Sequence, residues 1–177
     1  MASLPGDLTK KQALEQMIRV NHAGEYGAKR IYLGQLAILK KDEDQTLLKH
    51  MAAQEEVHLD YFTKEMQQTR TRPSFLLPLW HVLGYALGAG TALLGKNAAM
   101  VATEAVEEVI DQHYQEQLKE SVITKDLAEN IEKFRQEEIE HHNIATANMT
   151  ELNLGHKILY HAIKLGCKIS IGLAKKL

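Results

Sequence analysis

Apolar residues recur every three or four positions in long segments of the chain, a period typical of helices with one buried face. The pattern predicts helices over residues 9–40, 45–68, 97–120 and 124–149, and a more basic last helix over 156–177. Runs of alternating β-branched residues do not occur, and the sequence contains only three prolines. We therefore expect an all-α protein.

Polar residues at the segment ends predict where the helices begin. Thr9 and Gln12 have the spacing of a capping box, and Thr124 and Asn97 are candidate N-caps of later helices. Residues 40–44, Lys-Lys-Asp-Glu-Asp, form a polar turn that is basic before acidic, as the dipoles of the flanking helices favour.

Composition narrows the class of protein. The 177 residues are enough for one domain, expected to cover 1–177, and the net charge of −2 gives no reason to expect nucleic-acid binding. The single cysteine, Cys167, excludes a disulfide framework within the chain, fits a reducing compartment, and is expected to be a small apolar residue. Residues 1–10 resemble neither a signal peptide nor a transit peptide, which indicates a bacterial protein or a mature chain.

A Glu-x-x-His motif occurs twice, from Glu55 to His58 and from Glu138 to His141. Residues three apart share one face of a helix, so each motif offers one carboxylate and one imidazole in the same direction. Both glutamates continue an apolar stripe, and Glu25 lies in the stripe of the first helix, 30 residues before Glu55. The matching glutamate in the second half must lie about as far before Glu138.

Spacing alone does not choose between the neighbours Glu107 and Glu108, since a 30-residue gap before Glu138 selects Glu108. The stripe through Glu107 is mostly apolar, whereas the stripes through Glu108 and Glu137 are polar and are expected to face solvent. We therefore predict that Glu107 and Glu138 point inward.

The expected architecture is a ferritin-like four-helix bundle with one long crossover, built from the repeated halves 9–68 and 97–149. Four isolated carboxylates in a dry core would cost of the order of tens of kcal/mol, and two divalent cations would cancel their charge. Two imidazoles favour iron or manganese, and zinc less because no thiolate is near. The predicted ligands are Glu25 and His58 on one ion, Glu107 and His141 on the other, and Glu55 and Glu138 as bridges. The alternative is that all six lie on helix surfaces.

The chain also resembles the demethoxyubiquinone hydroxylase family of ubiquinone biosynthesis. Four segments, covering 19–28, 78–95, 105–108 and 137–142, carry the resemblance, and generic ferritin-like proteins lack the second of them. The family's six metal ligands fall on the residues chosen above. The resemblance implies a flavin-free di-iron monooxygenase that hydroxylates the ring of a polyprenylated demethoxyubiquinol with O₂. It also implies NADH as the electron source, although the sequence has no GxGxxG loop.

The resemblance places such an enzyme peripherally on an inner membrane, at the bacterial cytoplasmic face or the mitochondrial matrix face, with a lipid-binding partner protein and an oligomer as open expectations. It makes His113 and Tyr114 candidates for contact with the ligands or for electron delivery. The alternatives are that Tyr114 belongs to the core and His113 to the surface. For His22 we favour an ordinary structural role.

Residues 75–95 carry no formal charge and are long enough to cross a bilayer. A spanning helix would put the two halves of the metal site on opposite sides of the membrane, so we expect a helix in the interface of one leaflet, with Leu83 and Leu87 toward lipid. The alternative is a helix that covers the bundle core. The Gly84-x-x-x-Gly88 motif indicates close helix packing. We predict that residues 75–95 and the first helix line the quinone entry channel.

Two other functions use the same features. A ferritin-like protein that oxidises and stores iron would use the same ligands in a soluble shell, which the uncharged stretch disfavours. A structural bundle without metal is the third possibility, and metal analysis distinguishes it from both.

Overall fold

The structure of the chain, a computed structural model, describes residues 8–177. Within these residues the chain forms six helices and no strand. They are α1 (Lys10–Ile38), α2 (Asp42–Thr69), α3 (Leu77–Leu93), α4 (Lys96–Gln117), α5 (Lys125–Ala147) and α6 (Leu154–Lys176). The all-α prediction is confirmed. The expectations for the first ten residues fall largely on 1–7, which lie outside the described residues.

Cross-helix contacts establish how the bundle is connected. Tyr32 of α1 bonds to Glu107 of α4, and the later Tyr114 bonds back to the earlier Glu25, so α1 and α4 are antiparallel. A short connection also makes α2 antiparallel to α1, which leaves α2 and α4 parallel. Two successive bundle helices that run parallel cannot be joined by a short turn, because the chain must return along the bundle. The segment containing α3 makes this return. The predicted ferritin-like bundle with one long crossover is confirmed.

Two apolar clusters occupy the two ends of the bundle. One contains Tyr32, Leu48, Met51, Ala92, Ala99, Met100 and Ala145. The other contains Met17, Phe62, Tyr114, Leu127, Ile131 and Phe134. On each of α1, α2, α4 and α5 the predicted ligands fall between the residues of these two clusters. The clusters therefore seal a polar layer at the middle of the bundle from both ends.

α3 lies against α1 with almost no side-chain layer between them. A Cβ atom at Gly88 would be 1.9 Å from the backbone oxygen of Ile31, and one at Gly84 would be 2.9 Å from the oxygen of Gly27. Because both pairs advance in the same direction, α3 runs parallel to α1. The packing role predicted for the two glycines is confirmed.

α6 packs mainly on α4 and also contacts α1. Ile163 packs in one cluster with Ile31, and Ala174 packs with Val20. α3 and α6 therefore flank α1 as additions to the four-helix bundle.

The capping predictions for Thr9 and Thr124 are confirmed, since both side chains accept from the backbone of the third residue onward. The polar turn is shorter than expected, because α2 begins at Asp42 instead of residue 45. Acidic residues in a first helical turn interact favourably with its free N–H groups. Asp44 in that turn is buried and lies 2.7 Å from Lys96 of α4.

The N-cap prediction for Asn97 is wrong. Gly95 occupies the cap position of α4, with a φ of 112° that a residue with a side chain rarely adopts. Asn97 instead donates from Nδ2 to Thr150, and its Oδ1 accepts from the Thr150 backbone. Its amide therefore ties the start of α4 to the segment after α5.

The outer face of α3 is apolar, and α6 carries an apolar stripe beside the exposed Lys157 and Lys168. Large exposed side chains on and beside α3 are Phe75, Leu79, Val82, Leu83, Leu93 and Leu94. Those on α6 are Leu154, Ile158, Leu165, Ile169 and Leu173. Leu87, expected to face lipid, instead packs on the inner cluster around Ile31. No helix among residues 8–177 combines the length and hydropathy needed to cross a membrane.

Candidate metal centre

Six titratable side chains converge at the middle of the bundle, and none of them is more than 1% exposed. They are Glu25, Glu55, His58, Glu107, Glu138 and His141. They form two groups of four that can each hold a metal ion, with one ligand atom per residue and all atoms of a group within 4.8 Å of each other. Glu55 and Glu138 belong to both groups. That these residues bind metal stays a prediction.

The first group is completed by Glu25 and His58. Nδ1 of His58 lies 3.1 Å from Oε1 of Glu138 and 3.4 Å from Oε2 of Glu25. The imidazole therefore faces two carboxylates, each from a different helix.

The second group is completed by Glu107 and His141. Nδ1 of His141 lies 3.2 Å from Oε2 of Glu138, 3.3 Å from Oε1 of Glu55 and 4.0 Å from Oε1 of Glu107. The two oxygens of Glu138 therefore contact different imidazoles, which is the geometry of a carboxylate between two sites.

The inward atoms of this cluster lack hydrogen-bond partners. The buried atoms without a partner include Oε2 of Glu25, both oxygens of Glu55, Nδ1 of His58, Oε2 of Glu107, both oxygens of Glu138 and Nδ1 of His141. Buried polar groups in native proteins are almost always hydrogen-bonded, so a cluster of electron-pair donors that make no hydrogen bond points to a ligand bound among them. Oxygen and imidazole donors in two groups fit two transition-metal ions.

The protein alone accommodates these charges only by shifting proton affinities. Burial raises the pKa of Glu55 and of Glu107 well above the ordinary value, and the nearby Glu138 carboxylate adds to the shift. Burial lowers the pKa of His58, but contacts with Glu138 and Glu25 outweigh it and raise the value to about 12. Burial also opposes ionisation of Glu138, yet the two imidazoles hold its pKa below the usual range. Without cations, the cluster therefore keeps extra protons.

Two buried tyrosines bond reciprocally to the outer carboxylates. Tyr32 donates to Oε1 of Glu107, and Tyr114 donates to Oε1 of Glu25. Tyr114 was predicted to be near the site or in the core, and it is in both places. The role of Tyr32 was missed, although each tyrosine follows a predicted ligand by seven residues, a repeat visible in the sequence.

The outer nitrogen of each imidazole, Nε2, contacts the residue that precedes the glutamate of the other motif. Nε2 of His58 lies 2.6 Å from Oε2 of Glu137, and Nε2 of His141 lies 2.9 Å from Oε1 of Gln54. The prediction that Glu137 faces solvent is wrong, because its side chain is only 23% exposed and contacts α2. The helical stripe of α5 could not show this contact, since its partner is on another helix.

The prediction that the Glu108 face is solvated is also wrong. Glu108 accepts a hydrogen bond from Tyr160 and lies 2.7 Å from Nζ of Lys164, both on α6. The last helix therefore covers this face, but Glu107 remains the residue that enters the cluster.

His113 does not contact the six residues. Its Nε2 lies 2.7 Å from Nε2 of Gln117, whose amide in turn exchanges hydrogen bonds with Asn21. Burial lowers the pKa of His113 to about 4. This histidine is therefore a neutral member of a polar network with Gln117 and Asn21, and Gln117 lies about one helical turn after Tyr114.

A cavity of about 520 Å³ opens between α1, α2 and α3. Its lining residues are His22, Tyr26, Leu59, Asp60, Thr63, Leu77, Pro78 and His81. The Tyr26 hydroxyl lies 2.6 Å from Nδ1 of His81 and connects two of its walls. Tyr26 and Leu59 directly follow Glu25 and His58 in sequence, so the cavity lies at the same level of the bundle as the first group of candidate ligands.

Comparison with known proteins gives consistent matches along the chain. The sequence profile of the family described as ubiquinone biosynthesis protein COQ7 matches residues 12–174. A Rhodospirillum rubrum protein named 3-demethoxyubiquinol 3-hydroxylase is 46% identical over 177 residues, which cover 98% of this chain and 82% of that protein. The bovine and human proteins, each named NADPH-dependent 3-demethoxyubiquinone 3-hydroxylase, mitochondrial, are each 45% identical, with 97% of this chain and 81% of theirs covered.

Proposed function

Because the chain belongs to the family of ubiquinone biosynthesis protein COQ7, we propose that it is a hydroxylase acting on the ring of a polyprenylated demethoxyubiquinol. The cofactor in this proposal is a pair of iron ions, and O₂ is the source of the new oxygen atom. The observation that carries the proposal is the buried cluster of four carboxylates and two imidazoles, whose inward atoms have no partner within the protein.

The donor set supports two divalent ions with redox chemistry. Four carboxylates balance two ions of charge +2, and two imidazoles complete a set that suits iron or manganese. Such a pair, once bound, supplies the electrons that activate O₂ for attack on an electron-rich ring. We assign Glu25 and His58 to one ion, Glu107 and His141 to the other, and the bridging positions to Glu55 and Glu138.

The chain's own residues prepare the site. Tyr32 and Tyr114 each bond one oxygen of an outer carboxylate, which leaves the second oxygen free to point inward. The two end clusters exclude water from the polar layer, so each electrostatic interaction there is stronger than it would be in solvent. These features keep the ligand geometry fixed while the substrate enters.

We propose that the ring enters through the cavity between α1, α2 and α3. Its lining is largely apolar but carries the polar pair Tyr26 and His81, which suits a ring with oxygen substituents. Residues of 75–95 and α1 form two of its walls, as expected of an entry channel. The apolar outer face of α3 lies beside it, so a polyprenyl tail could remain in lipid while the ring enters.

The exposed apolar faces of α3 and α6 support peripheral attachment to an inner membrane, in one leaflet. They are equally accessible to a lipid-binding partner protein. For the electron source we propose a reduced nicotinamide nucleotide. The family resemblance gives NADH, whereas the names of the mammalian relatives give NADPH. Both nucleotides donate the same hydride.

The test is the reaction itself, with the iron-loaded protein in vesicles that contain a short-chain demethoxyubiquinol, a reduced nicotinamide and ¹⁸O₂. We expect a hydroxylated product that carries one ¹⁸O atom, detected by mass spectrometry. Glu138→Ala should abolish it, because the variant removes a residue shared by both groups. Glu140→Gln, on the exposed face of the same helix, is the matched control and should react normally. Iron oxidation without hydroxylated product in the unaltered protein would overturn the proposal and favour the ferritin-like alternative.

A further inference from the structure

The surroundings of the two imidazoles differ at one pair of equivalent positions. Glu137 and Gln54 each precede the glutamate of a Glu-x-x-His motif, and each reaches across the bundle to the histidine of the other motif. Around them the two halves match, with one outer glutamate and one bonded tyrosine each. The main difference is therefore a carboxylate behind His58 and a neutral amide behind His141.

We propose that Glu137 makes the two metal positions unequal, so that the ion held by Glu25 and His58 binds more tightly than the ion held by Glu107 and His141. The inference rests on the proposed metal site and concerns how that site is tuned. Glu137 is a positioning residue in this proposal, since it acts through His58.

Hydrogen-bond chemistry gives the direction of the difference. A carboxylate that accepts from an imidazole N–H makes the opposite ring nitrogen a stronger electron-pair donor, and outer partners of this kind change metal affinity by about 10- to 100-fold. The contact to Glu137, at 2.6 Å, is shorter than the contact to Gln54, at 2.9 Å, as expected of a charge-assisted bond. Both contacts leave Nδ1 of the histidine facing the cluster without a partner.

The neighbours of Glu137 do not cancel its charge. Lys133 is the only lysine or arginine of the described residues that pairs with Glu137, with Nζ 3.9 Å from Oε1, and its own side chain is 60% exposed. An exposed pair of this kind is worth little because water and salt screen it. The other oxygen, Oε2, contacts His58. The half of the site around His58 therefore carries one more negative charge than the half around His141.

The test is a calorimetric titration of the metal-free protein with Fe²⁺ under anaerobic conditions. We expect two resolved steps in the unaltered protein. Glu137→Gln should weaken the first step about 10- to 100-fold, so that the two steps merge. Gln54→Glu should tighten the second step, so that its affinity approaches that of the first step and the two steps also merge. Glu140→Gln, which lies on the solvent face of α5, should leave both steps unchanged.

A spectroscopic measurement separates this effect from a loss of structure. With one equivalent of ⁵⁷Fe²⁺, the Mössbauer spectrum of the unaltered protein should be dominated by one doublet, and that of Gln54→Glu should show two of similar area. Two resolved steps that neither variant moves would overturn the inference while leaving the metal site in place. If Glu137→Gln fails to fold, Gln54→Glu decides alone. An unaltered protein that binds no iron would instead overturn the proposed function.

Discussion

Tyr32 of α1 donates a hydrogen bond from its hydroxyl group to Oε1 of Glu107 on α4, and each of the two residues is only 1% exposed. Tyr114 repeats the relationship in reverse, toward Glu25. Each tyrosine follows its own helix's glutamate by two turns, so the antiparallel pairing of α1 and α4 brings every hydroxyl opposite a carboxylate. The two bonds hold one oxygen of each outer glutamate and direct the other oxygen inward.

Replacing Tyr32 with phenylalanine should therefore weaken metal binding without unfolding the bundle. The change leaves Oε1 of Glu107 buried and unpaired, a cost of about 1–3 kcal/mol that corresponds to roughly 5- to 150-fold. Iron retention during dialysis against a chelator measures the effect. The matched control is Tyr61→Phe, because the Tyr61 hydroxyl is buried and has no hydrogen-bond partner. Equal iron retention in the two variants would show that the Tyr32 bond does not hold the ligand.

The metal-free protein should become less stable as the pH rises from about 7 to about 9. Folding raises the pKa of Glu55 and Glu107 above 4.5, so the folded state binds more protons, and the stability that they add below this value is lost at higher pH. His58, raised from 6.5 to about 12, adds a loss above pH 6.5. The lowered pKa of Glu138 acts only on the acid side, because its stabilisation is present above 4.5 and lost below it.

Melting temperatures of chelator-treated protein across this pH range check the prediction. The iron-loaded protein should show the opposite slope, because protons compete with the metal for the same atoms. A chelator-treated protein whose melting temperature rises with pH would contradict the burial of these groups in the absence of metal.

Gly88→Ala should destabilise the protein by about 1–3 kcal/mol or more, since the added methyl group would meet the backbone of Ile31 and force α3 away from α1. Gly90→Ala is the matched control on the same helix, because a Cβ there meets nothing within 4 Å. It should be neutral or stabilising by up to about 1 kcal/mol, the helix preference of alanine over glycine. Thermal unfolding followed by circular dichroism measures both, and equal melting temperatures would refute the close packing.

Leu83→Glu should reduce binding to phosphatidylethanolamine and phosphatidylglycerol vesicles. Leu83 is 48% exposed on the outer face of α3, and a leucine transferred into lipid contributes about 1.5–3 kcal/mol, which is roughly 10- to 100-fold in partitioning. Val57→Glu changes a residue that is 54% exposed on α2 and serves as the control. Iron content should stay the same in both. Unchanged vesicle binding of Leu83→Glu in a sedimentation assay would show that this face is not the membrane contact.

Much of the fold follows from the sequence because each bundle helix carries its own evidence. The three- and four-residue period and the caps at Thr9 and Thr124 set most helix ends to within a few residues. The convergence of the six acidic and imidazole side chains also followed, because Glu-x-x-His occurs twice and each copy shares its stripe with apolar residues.

The features that the sequence did not predict depend on a second helix. The polar stripe of α5 gives no sign that Glu137 contacts His58, because His58 belongs to α2. Likewise, the polar neighbours of Glu108 suggested solvent, whereas α6 lies over that face. Periodicity reports that one side of a helix is buried, but it does not identify what covers the other side.

The most direct test of the central claim is the number of iron ions bound per chain, measured by elemental analysis after anaerobic loading with Fe²⁺ and removal of the excess. We predict two per chain in the unaltered protein and a loss of both in Glu138→Ala, with Glu140→Gln keeping two. An unaltered chain that retains no iron, or a Glu138→Ala variant that still retains two, would contradict the assignment of the buried cluster as a di-iron site.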